Sequence, residues 1–225
     1  MLCKILSFLF PRVVYKIKSL VNGEIEIVEF LGKRSIRAGG LQQSGSLVYL
    51  LWEKGIKEIT KPACRLALRQ GGLRNYEIEK VLLLGLGGGS IIPLLNRYFP
   101  KAKITAVEID PLMVAIGRKY FDLGKYTNLT IKICDAFSFV GKDKGEYDLI
   151  LVDLFLGAGI PKRMQKGDFL ENIKNHLGNG GFAVFNYLRN RKNQSELGNF
   201  EKNLRKHFKK LVIKKPLVNT LFICS

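Results

Sequence analysis

The chain has 225 residues, of which 47% are hydrophobic, and it carries a formal net charge of +18. This length and composition exclude an intrinsically disordered chain and favour one α/β domain with a small additional element. They also argue against a membrane-spanning helix, because the apolar run at residues 5–10 is short and ends at Pro11.

The positive charge is concentrated in two flanks. Residues 1–75 contain 13 basic and 5 acidic side chains and residues 161–225 contain 14 and 4, whereas residues 76–160 contain 10 of each. Such a field attracts phosphate groups, so the flanks predict either a nucleic acid or an anionic membrane surface as partner, or a solvated basic surface with no ligand. The four cysteines are too widely spaced for a zinc site or a disulfide framework, so no metal site is predicted.

The first third of the chain divides into two predicted parts. Residues 1–21 are expected to form an amphipathic segment that docks either on the protein or on a membrane surface. Residues 22–78 are expected to form a small β-hairpin domain followed by linker helices at 46–54 and 62–70, because strand-like alternation runs from Gly23 to Ala38.

Residues 79–225 are predicted to form the main domain, because strand and helix patterns alternate there. Strands are expected at 81–84, which reads as a buried parallel strand, 104–107, 129–133, 149–152 and 181–185, with helices at 91–99, 111–121, 167–177 and 194–209 and an antiparallel edge hairpin at 212–213 and 221–224. Such alternation indicates right-handed βαβ units. The predicted fold class is therefore α/β, a doubly wound, mostly parallel seven-stranded sheet of Rossmann-like type with a small N-terminal β-hairpin domain.

The most informative motif is a glycine-rich turn, Gly85-Leu-Gly87-Gly-Gly89, directly after the first strand of the main domain. Glycines in a strand-to-helix turn let a ligand approach the backbone, and the helix N-terminus offers free N–H groups. Glu108 ends the next strand about 20 residues later, from where its carboxylate can accept hydrogen bonds from both ribose hydroxyls. No Gly-Lys-Ser/Thr follows, which excludes a P-loop, and the spacing disfavours a dinucleotide; a plain tight turn is the remaining alternative.

Acidic residues also follow the third and fourth strands. Asp135 can accept a hydrogen bond from an adenine amino group, and Asp153 is the candidate general base, or else a hydrogen-bonded wall residue. Asn186, at the end of the fifth strand, either binds the acceptor or caps its strand. Because ligands of open parallel sheets bind beyond the carboxyl ends of the strands, these residues are expected to face one crevice.

Six stretches resemble a known family: GLQQSG, VLLLGLGGGS, AVEIDP, ICDAF, YDLILVDLF and FLENIKNHLGNGGFAVFN. They are similar to the spermidine synthase family of aminopropyltransferases and its relatives with the class I methyltransferase fold. The resemblance covers roughly residues 23–225 and implies an S-adenosyl ligand, either S-adenosylmethionine or its decarboxylated form. It implies that this ligand is held by Gly85, Gly87, Gly89, Glu108, Asp135, Ala136 and Gln43. It also implies that Tyr49 lines the acceptor pocket.

Two departures from that family bear on the substrate. Aminopropyltransferases carry an acidic residue where this chain has Gly88, and their active-site loop reads Asp-x-x-Asp where this chain has Asp153 and Leu156. A cationic amine acceptor needs such carboxylates, so their loss opposes a polyamine substrate. Without an acid at position 88, the carboxylate of intact S-adenosylmethionine is no longer repelled.

The residues therefore predict a transferase that moves the methyl group of S-adenosylmethionine to a neutral or anionic small-molecule acceptor. Two other functions stay open: an aminopropyltransferase that uses decarboxylated S-adenosylmethionine, and a non-catalytic nucleoside- or nucleic-acid-binding module. We expect a cytoplasmic protein, with a membrane-peripheral position as the alternative. A homodimer is left open as the assembly.

Overall fold

The computed structural model describes residues 10–61, 77–156, 159–189 and 194–225. The strands in these ranges are β1 (Arg12–Ser19), β2 (Gly23–Phe30), β3 (Lys33–Ala38), β4 (Leu41–Ser44), β5 (Lys80–Leu84), β6 (Lys103–Glu108), β7 (Leu129–Ile133), β8 (Tyr147–Val152), β9 (Leu177–Leu188), β10 (Leu211–Lys214) and β11 (Asn219–Cys224). The α-helices are α1 (Ser46–Thr60), α2 (Ile92–Tyr98), α3 (Pro111–Tyr120), α4 (Ala136–Lys142), α5 (Gly167–Asn175) and α6 (Gln194–His207). None of these helices is long and apolar enough to cross a membrane.

The main sheet has the predicted architecture. Its strand order is β10-β11-β9-β8-β5-β6-β7, in which β9, β8, β5, β6 and β7 run parallel. Strands β10 and β11 form an antiparallel hairpin at one edge, with β11 also antiparallel to β9. The predicted seven-stranded, mostly parallel sheet with an antiparallel edge hairpin is confirmed.

Burial on both faces explains why the central strands are continuous apolar runs. In β5, Val81 and Leu83 point to a core that contains residues of α1, α2 and α3, whereas Leu82 and Leu84 point to a second core that contains residues of α4, α5 and α6. Successive side chains of a strand alternate between faces, so a sheet covered by helices on both sides needs apolar residues at every position.

The N-terminal part is a four-stranded antiparallel sheet, β1-β2-β3-β4, and not only a hairpin. Residues 12–19, which belong to the predicted amphipathic segment, form β1 and pair with β2, so the N-terminal sheet begins before the predicted domain boundary at residue 22. The physical reason is that Val14, Tyr15 and Ile17 pack against the apolar cluster that β2 and β3 form with Met113 of α3. Residues 1–9 lie outside the described residues.

Helix α1 directly follows the N-terminal sheet. It continues through Gly55 to Thr60, whereas the sequence predicted an end at residue 54. Gly55 serves close packing, because a Cβ atom there would lie 2.5 Å from the side chain of Leu221 in β11. The second predicted linker helix, 62–70, lies outside the described residues.

Candidate active site

A cavity of about 430 Å³ lies at the carboxyl ends of the parallel strands, between the main sheet and the N-terminal sheet. Its walls come from the glycine turn, the ends of β6 and β8, the start of α4, strand β4, helix α1 and the turn between β10 and β11. The predicted site residues that line it are Gln43, Gly85, Gly87, Glu108, Asp135, Ala136, Asp153 and Asn186. The crevice expected from the strand ends is therefore present.

The backbone of the glycine turn lies so close to the backbone that follows β8 that a side chain would not fit at Gly85. Gly85 has φ +91°, and a Cβ atom there would collide with the backbone carbonyl of Asp153. Gly87 has φ +55° and lines the cavity with its backbone. Residues other than glycine rarely adopt such φ values, so the turn requires glycine and leaves space that a nucleoside can occupy.

Glu108 holds this turn in place. One carboxylate oxygen, Oε2, accepts a hydrogen bond from the Gly87 N–H (2.7 Å), and Oε1 accepts one from the Asp110 N–H (3.0 Å). Burial raises the pKa of the Glu108 carboxyl above its usual range, and the backbone hydrogen bonds oppose that rise. Each ionised oxygen can accept further hydrogen bonds, so the carboxylate can hold the turn and ribose hydroxyls together.

Asp153 stands at the centre of a hydrogen-bond network on the cavity wall. Its Oδ1 accepts from the side-chain amide of Asn186 (2.7 Å), and its Oδ2 accepts from the indole N–H of Trp52 on α1 (2.8 Å). Asn186 in turn accepts from the side-chain amide of Asn219 (2.9 Å). Desolvation raises the pKa of Asp153 to about 6, while its two hydrogen bonds act in the opposite direction. An acid with this pKa can take up a proton near neutral pH.

Asp135 is the N-cap of α4. Its Oδ1 accepts from the backbone N–H (2.8 Å) and the hydroxyl (2.9 Å) of Ser138, and the Arg163 guanidinium lies 3.5 Å away. The same guanidinium lies 4.3 Å from the ring centroid of Phe137, which lines the cavity. These contacts all use Oδ1, so the second oxygen of Asp135 can accept from an adenine amino group.

Gly88 faces the N-terminal sheet and not the cavity. A Cβ atom at this position would collide with Ile36 of β3 and lie 2.9 Å from the Ser44 hydroxyl, which accepts a hydrogen bond from the Gly88 N–H (2.7 Å). The neighbouring Gly45 N–H donates to the hydroxyl of Ser90 (2.7 Å). The packing of the two sheets thus excludes a carboxylate at the position where aminopropyltransferases are expected to carry one.

Two sequence-predicted residues lie elsewhere. Tyr49 is absent from the described lining of the cavity and packs against the core beneath α1, because the helix turns its other side to the cavity. Gly89 is absent from that lining too, since its Cα faces Leu123 behind the turn. Sequence reasoning in turn missed Trp52 and Asn219, although a buried indole N–H or amide needs a partner, which is the signal that could have indicated them.

Comparison with known proteins shows which proteins the chain is similar to. The family model of the spermine/spermidine synthase domain matches residues 68–220. A polyamine aminopropyltransferase of Vibrio vulnificus is 35% identical over 133 residues, which are 58% of this chain and 44% of that protein. An "eEF1A lysine and N-terminal methyltransferase homolog" of Drosophila pseudoobscura pseudoobscura is 35% identical over 201 residues, which are 76% of this chain and 30% of that protein.

A solved structure shares the fold. The human Methyltransferase-like protein 13 in complex with SAH superposes with a TM-score of 0.63 at 24% identity, covering 78% of this chain and 82% of that one. The chain spans less than half the length of the two curated relatives.

Proposed function

Because the chain belongs to the family of the spermine/spermidine synthase domain, we propose that it is a transferase that binds S-adenosylmethionine and moves the methyl group to a neutral or anionic acceptor. The family comprises both aminopropyltransferases and methyltransferases among the relatives of this chain. The charge of the side chains that line the cavity favours methyl transfer over aminopropyl transfer.

This proposal depends on the acidic side chains that line the cavity. Among the described residues that line the cavity, the acidic ones are Glu108, Asp135 and Asp153. Glu108 binds the glycine turn, Asp135 caps α4, and both oxygens of Asp153 accept hydrogen bonds from neutral side chains. A polyamine carries several positive charges and needs several carboxylates, whereas a neutral acceptor needs only one group that takes its proton.

The residues present fit an S-adenosyl ligand. The backbone of the glycine turn can contact the ligand, and the carboxylate of Glu108 can accept hydrogen bonds from the ribose hydroxyls. Asp135 lies beside Phe137, where an adenine ring can pack. S-adenosylmethionine supplies an electrophilic methyl group when it is bound. An acceptor hydroxyl or amine beside Asp153 bonds to that methyl carbon, the sulfur keeps the electron pair of the broken bond, and the carboxylate of Asp153 takes the acceptor's proton.

Calorimetric titration with three nucleosides tests the choice of donor. We expect intact S-adenosylmethionine to bind at least as tightly as its decarboxylated form, because Leu156, which lines the cavity where aminopropyltransferases carry an acid, contributes no negative charge to repel the donor carboxylate. Methylthioadenosine, which lacks the charged tail, measures the contribution of the nucleoside alone. Tenfold tighter binding of the decarboxylated donor, together with turnover of putrescine or spermidine, contradicts the methyltransferase assignment.

Aminopropyl transfer is the second candidate function. It is favoured by the 35% identity to the Vibrio vulnificus polyamine aminopropyltransferase and by the retained Asp153. The same titration separates the two functions, since this candidate requires turnover of an amine with the decarboxylated donor.

We further propose that the basic face of α6 is a solvated surface and not a nucleic-acid site. Phe200, Leu204 and Phe208 are buried, as expected, and leave Lys202, Lys206 and Lys209 exposed. We expect weak binding of mixed RNA and of anionic vesicles that changes little between about 50 and 200 mM salt. The proposal is contradicted if RNA binding weakens with salt at a log–log slope of about −0.7 for each neutralised phosphate, and if this salt dependence is lost when the three lysines are replaced by glutamine.

A further inference from the structure

The mouth of the cavity is rimmed by large apolar side chains that are exposed to water. Leu47 (59% exposed), Leu156 (49%), Leu217 (46%) and Val218 (62%) all line the cavity. Single exposed apolar residues are ordinary, but several around one opening mark a binding surface. They come from three separate segments, the start of α1, the loop after β8 and the turn between β10 and β11, which converge only in the folded chain. These four residues are called the rim below.

We propose that the acceptor is an amphipathic small molecule, with a neutral nucleophilic group that reaches Asp153 and an apolar body that lies on the rim. This inference rests on the proposed methyltransferase function and specifies the substrate class of the same site.

The turn that carries Leu217 supports a role for the rim. Leu217 has φ +51°, a conformation that is unfavourable for a large side chain and common for glycine or asparagine. The turn is nevertheless held firmly: the Arg189 guanidinium donates to the carbonyls of Leu217 (2.6 Å) and Asn219 (3.2 Å), and the Asn219 N–H donates to the Pro216 carbonyl (3.0 Å). A leucine is therefore presented in a fixed position at the mouth.

The wall between the rim and Asp153 is also apolar. It includes Val48 and Leu51 of α1 and Leu154 and Phe155 after β8, whereas the polar lining residues lie on the side of β4, the glycine turn, β6, the start of α4 and the Asp153 network. An acceptor therefore meets one polar spot, at Asp153, and apolar surface from there outward.

The size of the cavity also favours an acceptor that extends to the mouth. Its volume of about 430 Å³ lies in the lower part of the range of roughly 300–1,000 Å³ that is usual for ligand pockets. A bound donor occupies part of this volume, so an acceptor that is longer than the remaining space extends to the mouth. Lys162 and Lys215 are exposed and lie next in sequence to Pro161 and the turn at 216–219, so the segments that line the mouth carry positive charge and disfavour a cationic body.

A series of para-alkylphenols with methyl, butyl and octyl chains tests this inference. Each phenol is titrated into the full chain saturated with S-adenosylhomocysteine, below its aggregation concentration. We expect binding to tighten about three- to fourfold for each added methylene that reaches the rim, which corresponds to about 0.8 kcal/mol per methylene. Donor binding is measured separately in the same preparation.

Two asparagine variants provide a matched comparison. Leu217→Asn removes apolar surface at the rim, and Leu31→Asn does the same at the β2–β3 turn, where φ is +50° and the side chain is 49% exposed. Asparagine tolerates this conformation, so both variants should fold. We expect Leu217→Asn to weaken octylphenol binding about tenfold and Leu31→Asn to leave it unchanged.

The outcomes separate this inference from the function on which it rests. If S-adenosylhomocysteine binds but the phenols show no dependence on chain length, or if both variants behave alike, the amphipathic acceptor is overturned and a macromolecular acceptor becomes the better choice. If S-adenosylhomocysteine itself does not bind, the proposed function has failed before the rim is tested.

Discussion

Replacing Asp153 with asparagine is expected to lower the rate of methyl transfer by about 10²- to 10⁴-fold, the range usual for loss of a general base. The shape of the side chain is kept, but asparagine cannot take the acceptor's proton. Asparagine also places an NH2 group, a donor, where one carboxylate oxygen accepts from Trp52 or Asn186, so the network loses an acceptor. Single-turnover kinetics with saturating S-adenosylmethionine measure the chemical step directly.

The pH profile provides the discriminating readout. Since burial raises the pKa of Asp153 to about 6, the rate of the unmodified protein should increase as pH rises through about 6 and level off above it, as the carboxylate becomes able to accept a proton. The variant should lack this step while it retains donor affinity. A variant with an unchanged rate and an unchanged step at pH 6 shows that Asp153 is a wall residue.

Folding stability should depend on the same proton with the opposite sign. A carboxyl group with a raised pKa in the folded state binds its proton more tightly there than in the unfolded chain. Its contribution is therefore fully present below about pH 4 and is lost as pH rises through about 6. The protein keeps an ionised Asp153 at neutral pH at some cost in stability, which is expected of a group retained for chemistry.

Replacing Glu108 with alanine is expected to weaken S-adenosylmethionine binding by about 1.5–3 kcal/mol, or roughly 10- to 150-fold, because a charge-assisted contact with ribose is lost. The variant also removes the acceptor of the Gly87 N–H, so the turn itself becomes less ordered. Calorimetric titration measures the affinity, and a thermal melt without ligand shows whether the variant folds.

Asp122→Asn serves as the control for that measurement, because asparagine removes the charge and tolerates the φ of +53° at this position. Asp122 is an exposed carboxylate with an ion pair to Lys125 at 3.9 Å, outside the cavity lining among the described residues. It should leave donor affinity unchanged. A folded Glu108→Ala variant with the affinity of this control rules out Glu108 as a donor ligand.

The main sheet could be predicted from the sequence because its signals are local. Each buried strand is a short apolar run, and the glycine turn, Glu108 and Asp153 directly follow strands whose order obeys the rules of βαβ connections. The topology then brings these strand ends to one edge, so most of the predicted lining residues meet in the structure. Their roles in binding and catalysis stay predictions.

The features that the sequence did not predict have a different cause, because they depend on packing between distant parts of the chain. Strand β1 depends on its pairing with β2 and on α3, and the length of α1 depends on the close contact between Gly55 and Leu221. Trp52 donates to a carboxylate 101 positions away, and Tyr49 lies on the wrong side of the same helix. Nothing in the local pattern of residues 46–60 indicates which side faces the cavity.

Two hydrogen bonds join the glycine turn to the end of β4 and the following Gly45, namely Gly88 N–H to Ser44 and Gly45 N–H to Ser90, and they have a thermodynamic consequence. A ligand that binds only the native turn stabilises every element whose unfolding would break these bonds. Amide protons of β3 should therefore exchange more slowly with solvent deuterium once a nucleoside is bound, although no residue of β3 lines the cavity. The N-terminal sheet would act as a reporter of occupancy at a distance, and its exchange rate would measure the coupling between the two sheets.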